Sequence, residues 1–155
     1  MPISRRAFVR ASLTSAVLGG VAAQTTNAAF PKQVLEARSM DAAISAALGG
    51  GNLTDSADVA VTTPDQAETG DVVPVSIATS LPRIESISLM ADKNPVPMVA
   101  IYRLAPEVEG FLATRIKLAE SCNVVALVRS DGKLHRASKA VKVVIGGCGS
   151  DAEEV

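Results

Sequence analysis

From residue 72 onward the chain alternates apolar and polar positions in short runs, the period expected of half-buried strands. The clearest run is 84–90, where Ile84, Ser86, Ser88 and Met90 fall on one side and Glu85, Ile87 and Leu89 on the other. Comparable runs occupy 58–61, 72–78, 98–104, 110–119, 123–128 and 141–145. Pro74 has no N–H to give a ladder, so its run is expected at an edge or a bulge. Ser130-Asp131-Gly132-Lys133 separates the last two runs, and Asp-Gly between paired strands predicts a tight hairpin turn.

Ahead of the strands the period changes. Val34, Leu35, Met40, Ile44, Ala47 and Leu48 keep helical spacing, Pro31 suits a first turn, and Gly49-Gly50-Gly51 ends the pattern. The reading is one N-terminal helix docked by its apolar stripe on an edge or open end of the sheets. Its opposite face is not basic, which argues against a membrane role. About seven short strands with Pro and Gly between them predict a mainly β protein, an immunoglobulin-like antiparallel β-sandwich.

Composition refines this picture. A chain of 155 residues is one domain of ordinary size, 48% hydrophobic but only 3% aromatic, so its core is built from Val, Ile, Leu and Ala. The formal charge of −1 conceals an asymmetry: the first 29 residues hold Arg5, Arg6 and Arg10 and no acid. The rest of the chain is mildly acidic, and this speaks against nonspecific nucleic-acid binding, which needs a basic footprint.

The first 29 residues read as an export signal. Arg5-Arg6 with Phe8 is a paired-arginine start, residues 13–23 are a modest apolar stretch too short for a span, and Thr26-Asn27-Ala28-Ala29 offers small residues for cleavage. The expected organisation is a twin-arginine signal peptide at 1–29, a sandwich domain with its helix at 30–145, and a glycine-rich arm with an acidic tail at 146–155. Twin-arginine export delivers folded proteins to the periplasm. Without a cofactor motif in the chain, co-export with a partner subunit is the expectation.

Candidate chemistry is sparse. Enzymes need converging groups, yet the one histidine, His135, follows a turn and reads as a solvated hairpin-tip residue. No Cys/His set has zinc or haem spacing, no serine elbow occurs, and Asp151, Glu153 and Glu154 form a terminal tail rather than a site. The expectation is a protein that is not itself an enzyme, with no bound metal or cofactor.

One stretch stands apart: Val143-Val144-Ile145-Gly146-Gly147-Cys148-Gly149. Gly146, Gly147 and Gly149 add no bulk and adopt almost any backbone angle, so Cys148 hangs on a thin segment able to enter a narrow cleft. Three readings stand side by side. Cys148 is a handle for covalent substrate attachment, or half of a disulfide with Cys122, or part of a purposeless glycine-rich end. The disulfide would close a loop of about 26 residues and contribute about 3 kcal/mol on loop-entropy grounds. A hairpin about Asp131-Gly132 would return the arm toward Cys122 and allow it. In that case the chain is a secreted binding or structural module; with both thiols active it is a thiol oxidoreductase.

The residues resemble the SoxY family, the sulfur-carrier subunits of the periplasmic thiosulfate-oxidising Sox system. The resemblance rests on the paired-arginine signal, Ile87-Ser88-Leu89 leading to Lys93-Asn94-Pro95-Val96-Pro97, Thr114-Arg115-Ile116-Lys117-Leu118-Ala119, Asn123-Val124-Val125-Ala126 and the terminal Gly-Gly-Cys-Gly. It implies an immunoglobulin-like fold and a carrier whose substrate is covalently attached at Cys148. It further implies a heterodimer with a SoxZ-like subunit. Transient docking to a haem-containing sulfur transferase, a sulfate-releasing hydrolase and, where present, a sulfane dehydrogenase is also implied. In one respect the chain departs from the family, whose members usually stop one or two residues after the cysteine. Here Ser150-Asp151-Ala152-Glu153-Glu154-Val155 extends the chain further.

Overall fold

A computed structural model describes residues 31–144. Arg5, Arg6, Gly146, Gly147, Cys148 and Gly149 lie outside the described residues, as do the expected export signal and the acidic tail. Two helices, α1 (Lys32–Glu36) and α2 (Met40–Leu48), precede nine strands. These are β1 (Leu53–Asp55), β2 (Val59–Thr62), β3 (Gln66–Ala67), β4 (Val73–Thr79) and β5 (Ile84–Ala91). They continue as β6 (Met98–Arg103), β7 (Phe111–Ile116), β8 (Cys122–Ser130) and β9 (Lys133–Val143).

The strands form two sheets, as the alternation predicts. The larger has the order β1-β9-β8-β5-β6 with β3 also paired to β9; the smaller is β2-β4-β7. Pairing is antiparallel except that β1 and β3 run parallel to β9. Between the sheets lies a core of Val73, Val75, Ile77, Ile87, Leu89, Ala91, Ile116, Leu118, Val124, Ala126, Val128 and Val141. Each large aliphatic side chain so buried contributes roughly 1.5–3 kcal/mol.

The alternation in β5 and β8 separates two cores rather than core from solvent. In β8, Val124, Ala126 and Val128 face the smaller sheet, while Val125 and Leu127 face outward. There they meet Val34, Ala37, Ala43 and Ile44 of the helical segment, with Met90, Met98 and Leu134. The helical segment therefore covers the outer face of the larger sheet, not an edge or open end. A strand buried on both sides needs no polar face, which is why Ser86 and Ser88 are buried too.

The single helix expected over 31–48 is realised as two pieces. Ala37 is extended, and Ser39 caps α2 by accepting the Ala42 N–H on its Oγ at 3.3 Å. Serine suits that position because it satisfies an N–H that the first helical turn leaves unpaired. Gly49 then ends α2 with φ 73°, donating its N–H to the Ser45 carbonyl at 3.0 Å. The break lets Val34 and Ala43 both reach the sheet.

Pro74 does not mark an edge strand. β4 is the middle strand of the smaller sheet, paired with β7 along 73–78 but with β2 only along 76–79. Pro74 sits where the strand has one neighbour, so its missing N–H costs no ladder bond on the other side. The hairpin at Asp131-Gly132 forms as predicted, with φ of 49° and 72°. It leads directly into β9, which starts at Lys133, well before residue 141. His135 consequently lies inside a strand, half-buried between Thr54 and Val128, and not at a hairpin tip.

Candidate functional site: the root of the C-terminal arm

The last strand is held on both sides up to the point where the arm begins. Cys122 lies opposite Val141, so β9 runs past the start of β8 before it ends. On that side the Val143 N–H donates to Ser121 Oγ at 2.9 Å. On the other side the Lys142 N–H reaches the Asp65 carbonyl and the Val144 N–H the Ala67 carbonyl, both at 2.9 Å. The short parallel strand β3 thus fixes the arm's root from the edge, and β8 fixes it from within.

Two polar side chains from one turn brace the neighbouring loops. Asn94 donates through Nδ2 to the Lys117 carbonyl at 2.9 Å and accepts the Ala119 N–H on Oδ1 at 2.8 Å. Asp92 accepts the Asn123 N–H at 2.8 Å and its Nδ2 at 2.7 Å. Arg38 ties the same turn to the helical segment by donating from Nη1 to the Pro95 carbonyl at 2.9 Å. Gly70 lies so close beneath Leu118 that a Cβ there would stand 2.0 Å from the Leu118 oxygen. The segment 93–97 is distant in sequence from 117–119 and 121–123, but all three meet at the end of the sandwich that Val143 and Val144 reach.

Cys122 is a buried free thiol in this cluster. Burial, followed by the charge of Asp92, pushes its pKa above the ordinary thiol value. A thiol held protonated is a poor nucleophile and a poor metal ligand. The geometry does return the chain toward Cys122, as the hairpin predicts, but the second sulfur of a disulfide, Cys148, lies outside the described residues.

Lysines and carboxylates are mixed at this end. Lys117 pairs with Asp71 at 2.8 Å and Lys139 with Asp65 at 3.0 Å, and the first pairing raises the Lys117 pKa and lowers that of Asp71. Lys93 and Lys142 border a shallow depression with Ser121, Asn123 and Ala140 between them. Among the described residues no three His, Cys, Asp or Glu side chains form a metal-binding group. No described helix is long and apolar enough to cross a membrane. Sequence reasoning missed β3 and the Asp92 and Asn94 braces; Asx residues ahead of Pro95 are the one signal that points to the braces.

The model of the sulfur oxidation protein SoxY family matches residues 44–148. The chain belongs to the SoxY family. The match covers most of the sandwich and ends on Cys148, leaving 149–155 beyond it. Among solved structures, this SoxY-family chain is similar to the sulfur carrier protein SoxY from Chlorobium limicola f. thiosulfatophilum. The two are 35% identical with a TM-score of 0.64, over 72% of this chain and 97% of that one. A superoxide reductase (neelaredoxin) from Ignicoccus hospitalis shares 19% identity with a TM-score of 0.50, over 73% of this chain and 91% of that one. At that distance the likeness is one of fold alone. No curated protein sequence matches the chain.

Proposed function

We propose that this protein is a covalent carrier of sulfur intermediates in thiosulfate oxidation, with the substrate attached to Cys148. The observation that carries the reading is the family match, which runs through the sandwich and ends on Cys148. In the first step the Cys148 thiol and thiosulfate are joined by a new S–S bond, giving Cys–S–S–SO3⁻. One proton and two electrons leave, the electrons passing to a haem-containing partner. Water then cleaves the S–SO3⁻ bond, releasing hydrogen sulfate and leaving the persulfide Cys–S–SH. Where a sulfane dehydrogenase is present, three waters and the loss of seven protons and six electrons, the electrons taken up by that dehydrogenase, convert the outer sulfur to a sulfonate. A second hydrolysis frees the thiol.

The physical division of labour supports this. Coupling needs thiolate, a minority species for an unperturbed thiol near neutral pH. No Lys, Arg or His adjoins Cys148 in sequence, so activation falls to each partner's pocket. The sandwich serves as an anchor and as the docking body, with a SoxZ-like subunit as its companion and the paired-arginine segment as its route to the periplasm. Catalysis belongs to the partners.

Intact-mass spectrometry before and after mild reduction tests the reading. Protein recovered from thiosulfate-oxidising cells should carry reducible adducts of sulfur or thiosulfate, lost in Cys148→Ser and kept in Cys122→Ser. An internal Cys122–Cys148 bond as the sole modification, or adducts that survive in Cys148→Ser, overturns it.

A further inference from the structure

On the outer face of the larger sheet, beside the end of α2, three neighbouring strands put Arg103, Ser86 and Arg129 in one row. Ser86 of β5 stands opposite Arg103 of β6 and opposite Arg129 of β8, and side chains opposite one another share a face. Two strand spacings set the arginine backbones about 9–10 Å apart, so the two long side chains reach a common point between them. Opposite charges stabilise such a row, and a carboxylate at 86 would neutralise both cations. The chain has a serine there instead. It is 7% exposed, and its hydroxyl makes no hydrogen bond with another described residue.

All three residues line an open depression of about 370 Å³ whose wall includes Leu48 and Glu85. Arg129 is half-buried and held in place, donating from Nη2 to the Leu48 carbonyl at 2.6 Å. Arg103 is exposed, and among the described residues neither arginine has an acidic partner. Glu85 is the one carboxylate in the lining. It accepts the Gly132 N–H on Oε1 at 2.8 Å and pairs with neither arginine. Two cations against one anion leave the depression net positive, and the neighbouring Arg83 and Asp131 cancel within their own pair.

We propose that the Arg103–Ser86–Arg129 row binds a small tetrahedral oxyanion. Guanidinium groups from two sides and a hydroxyl from the floor offer donors in three directions, which suits three oxygens of one tetrahedral face. A planar carboxylate would use only two of them. Hydrogen bonds from ionised donors to anionic oxygens are roughly twice as strong as neutral ones, and the serine hydroxyl gains the partner it lacks. A charge on an edge strand such as β6 also deters unwanted pairing, but that role needs neither a second arginine nor a free hydroxyl in the same row. Arg129 stands seven residues from Cys122 along β8, about 23 Å. The site is therefore at the opposite end of the sandwich from Val143 and Val144, and it stands apart from the carrier reading.

The test is amide NMR of the full chain, titrated with sulfate and separately with phosphate against chloride at matched ionic strength. The amides of Ser86, Arg103 and Arg129 should shift saturably, with a dissociation constant on the order of millimolar, while those of Cys122 and Val143 stay in place. Saturation by either oxyanion supports the site, and the tighter of the two names its preference. Arg103→Gln, an exposed change that spares the Leu48 contact, should weaken binding by at least about fivefold. Ser86→Ala should weaken it about three- to fivefold. Glu85→Gln keeps an oxygen for Gly132 but removes the opposing charge, and should tighten binding about two- to threefold. Shifts that never saturate, an equal response to chloride, or tighter binding of acetate than of sulfate and phosphate overturns the proposal. So does Arg103→Gln with the parent's affinity and increased self-association, because the arginine is then an edge guard alone.

Discussion

Asn94 holds Ala119 across 25 positions of sequence, accepting its N–H at 2.8 Å while donating to the Lys117 carbonyl at 2.9 Å. One amide thus closes two backbone groups that the end of β7 leaves without a ladder. Asn94→Ala removes both bonds and should destabilise the domain by about 1–3 kcal/mol. Asn94→Asp keeps the acceptor, loses the donor and should fall between the two. Chemical denaturation with an unchanged m-value is the measurement; a loss of less than a few tenths of a kcal/mol in the alanine variant counts against the brace.

Gly70 is required by close approach rather than by backbone angle. A Cβ at that position meets the Leu118 oxygen at 2.0 Å, and the Gly70 carbonyl accepts the Leu118 N–H at 2.8 Å. Gly70→Ala must push these chains apart and should cost about 1–3 kcal/mol, as overpacking does. Because Val143 lies against the same spot, amide exchange should also speed up at Val143 and Val144. Unaltered exchange there would separate Gly70 from the arm's root.

Cys122 makes stability depend on alkaline pH. Burial raises its pKa in the folded state, so folding favours the protonated thiol. That contribution is fully present below the unfolded thiol's pKa, about 8.5, and is lost as pH rises through the folded value. Between pH 7 and pH 10 the parent should lose more stability than Cys122→Ala. Parallel pH curves for the two chains would exclude the effect.

The two thiols should also separate by reactivity. In the native protein iodoacetamide should modify Cys148 well before Cys122, and unfolding should bring both to similar rates. Peptide mapping of partially labelled protein reads this directly.

Gly147→Val places a β-branched side chain beside Cys148, the thiol proposed to carry the sulfur. Melting temperature should stay within a degree or two of the parent, while turnover with each partner falls by at least about tenfold, or about 1.4 kcal/mol. Normal turnover would mean that the clefts are wider than the glycines imply.

The strands were legible because the chain writes its period plainly. Ile87 and Leu89 against Ser88 and Met90 mark β5, and Asp131-Gly132 marks the hairpin between β8 and β9. The pattern leaves open which side faces what, since Val125 and Leu127 of β8 look like core residues whether a sheet or a helix covers them. Ser39 illustrates a second limit. Its capping role competes with the helical spacing around it, and the local hydrogen bond to Ala42 prevails over continuity. The third limit concerns contact across distance. β3 is two residues long, and nothing in Gln66-Ala67 announces a pairing with Lys142 and Val143. Cys148 and its glycines stand out in the sequence because their composition is rare, and they remain a proposal, while the braces of Asp92 and Asn94 depend on partners 23 to 31 positions away.

The stitching of Val144 to Ala67 sets a hard limit on partner geometry. With the chain pinned at that residue, four links separate the last fixed amide from the sulfur-bearing residue, a leash of about 14 Å at full stretch. On the carrier reading proposed above, an enzyme that acts on Cys148 keeps its reacting centre within about 14 Å of the surface it sets against this end of the sandwich.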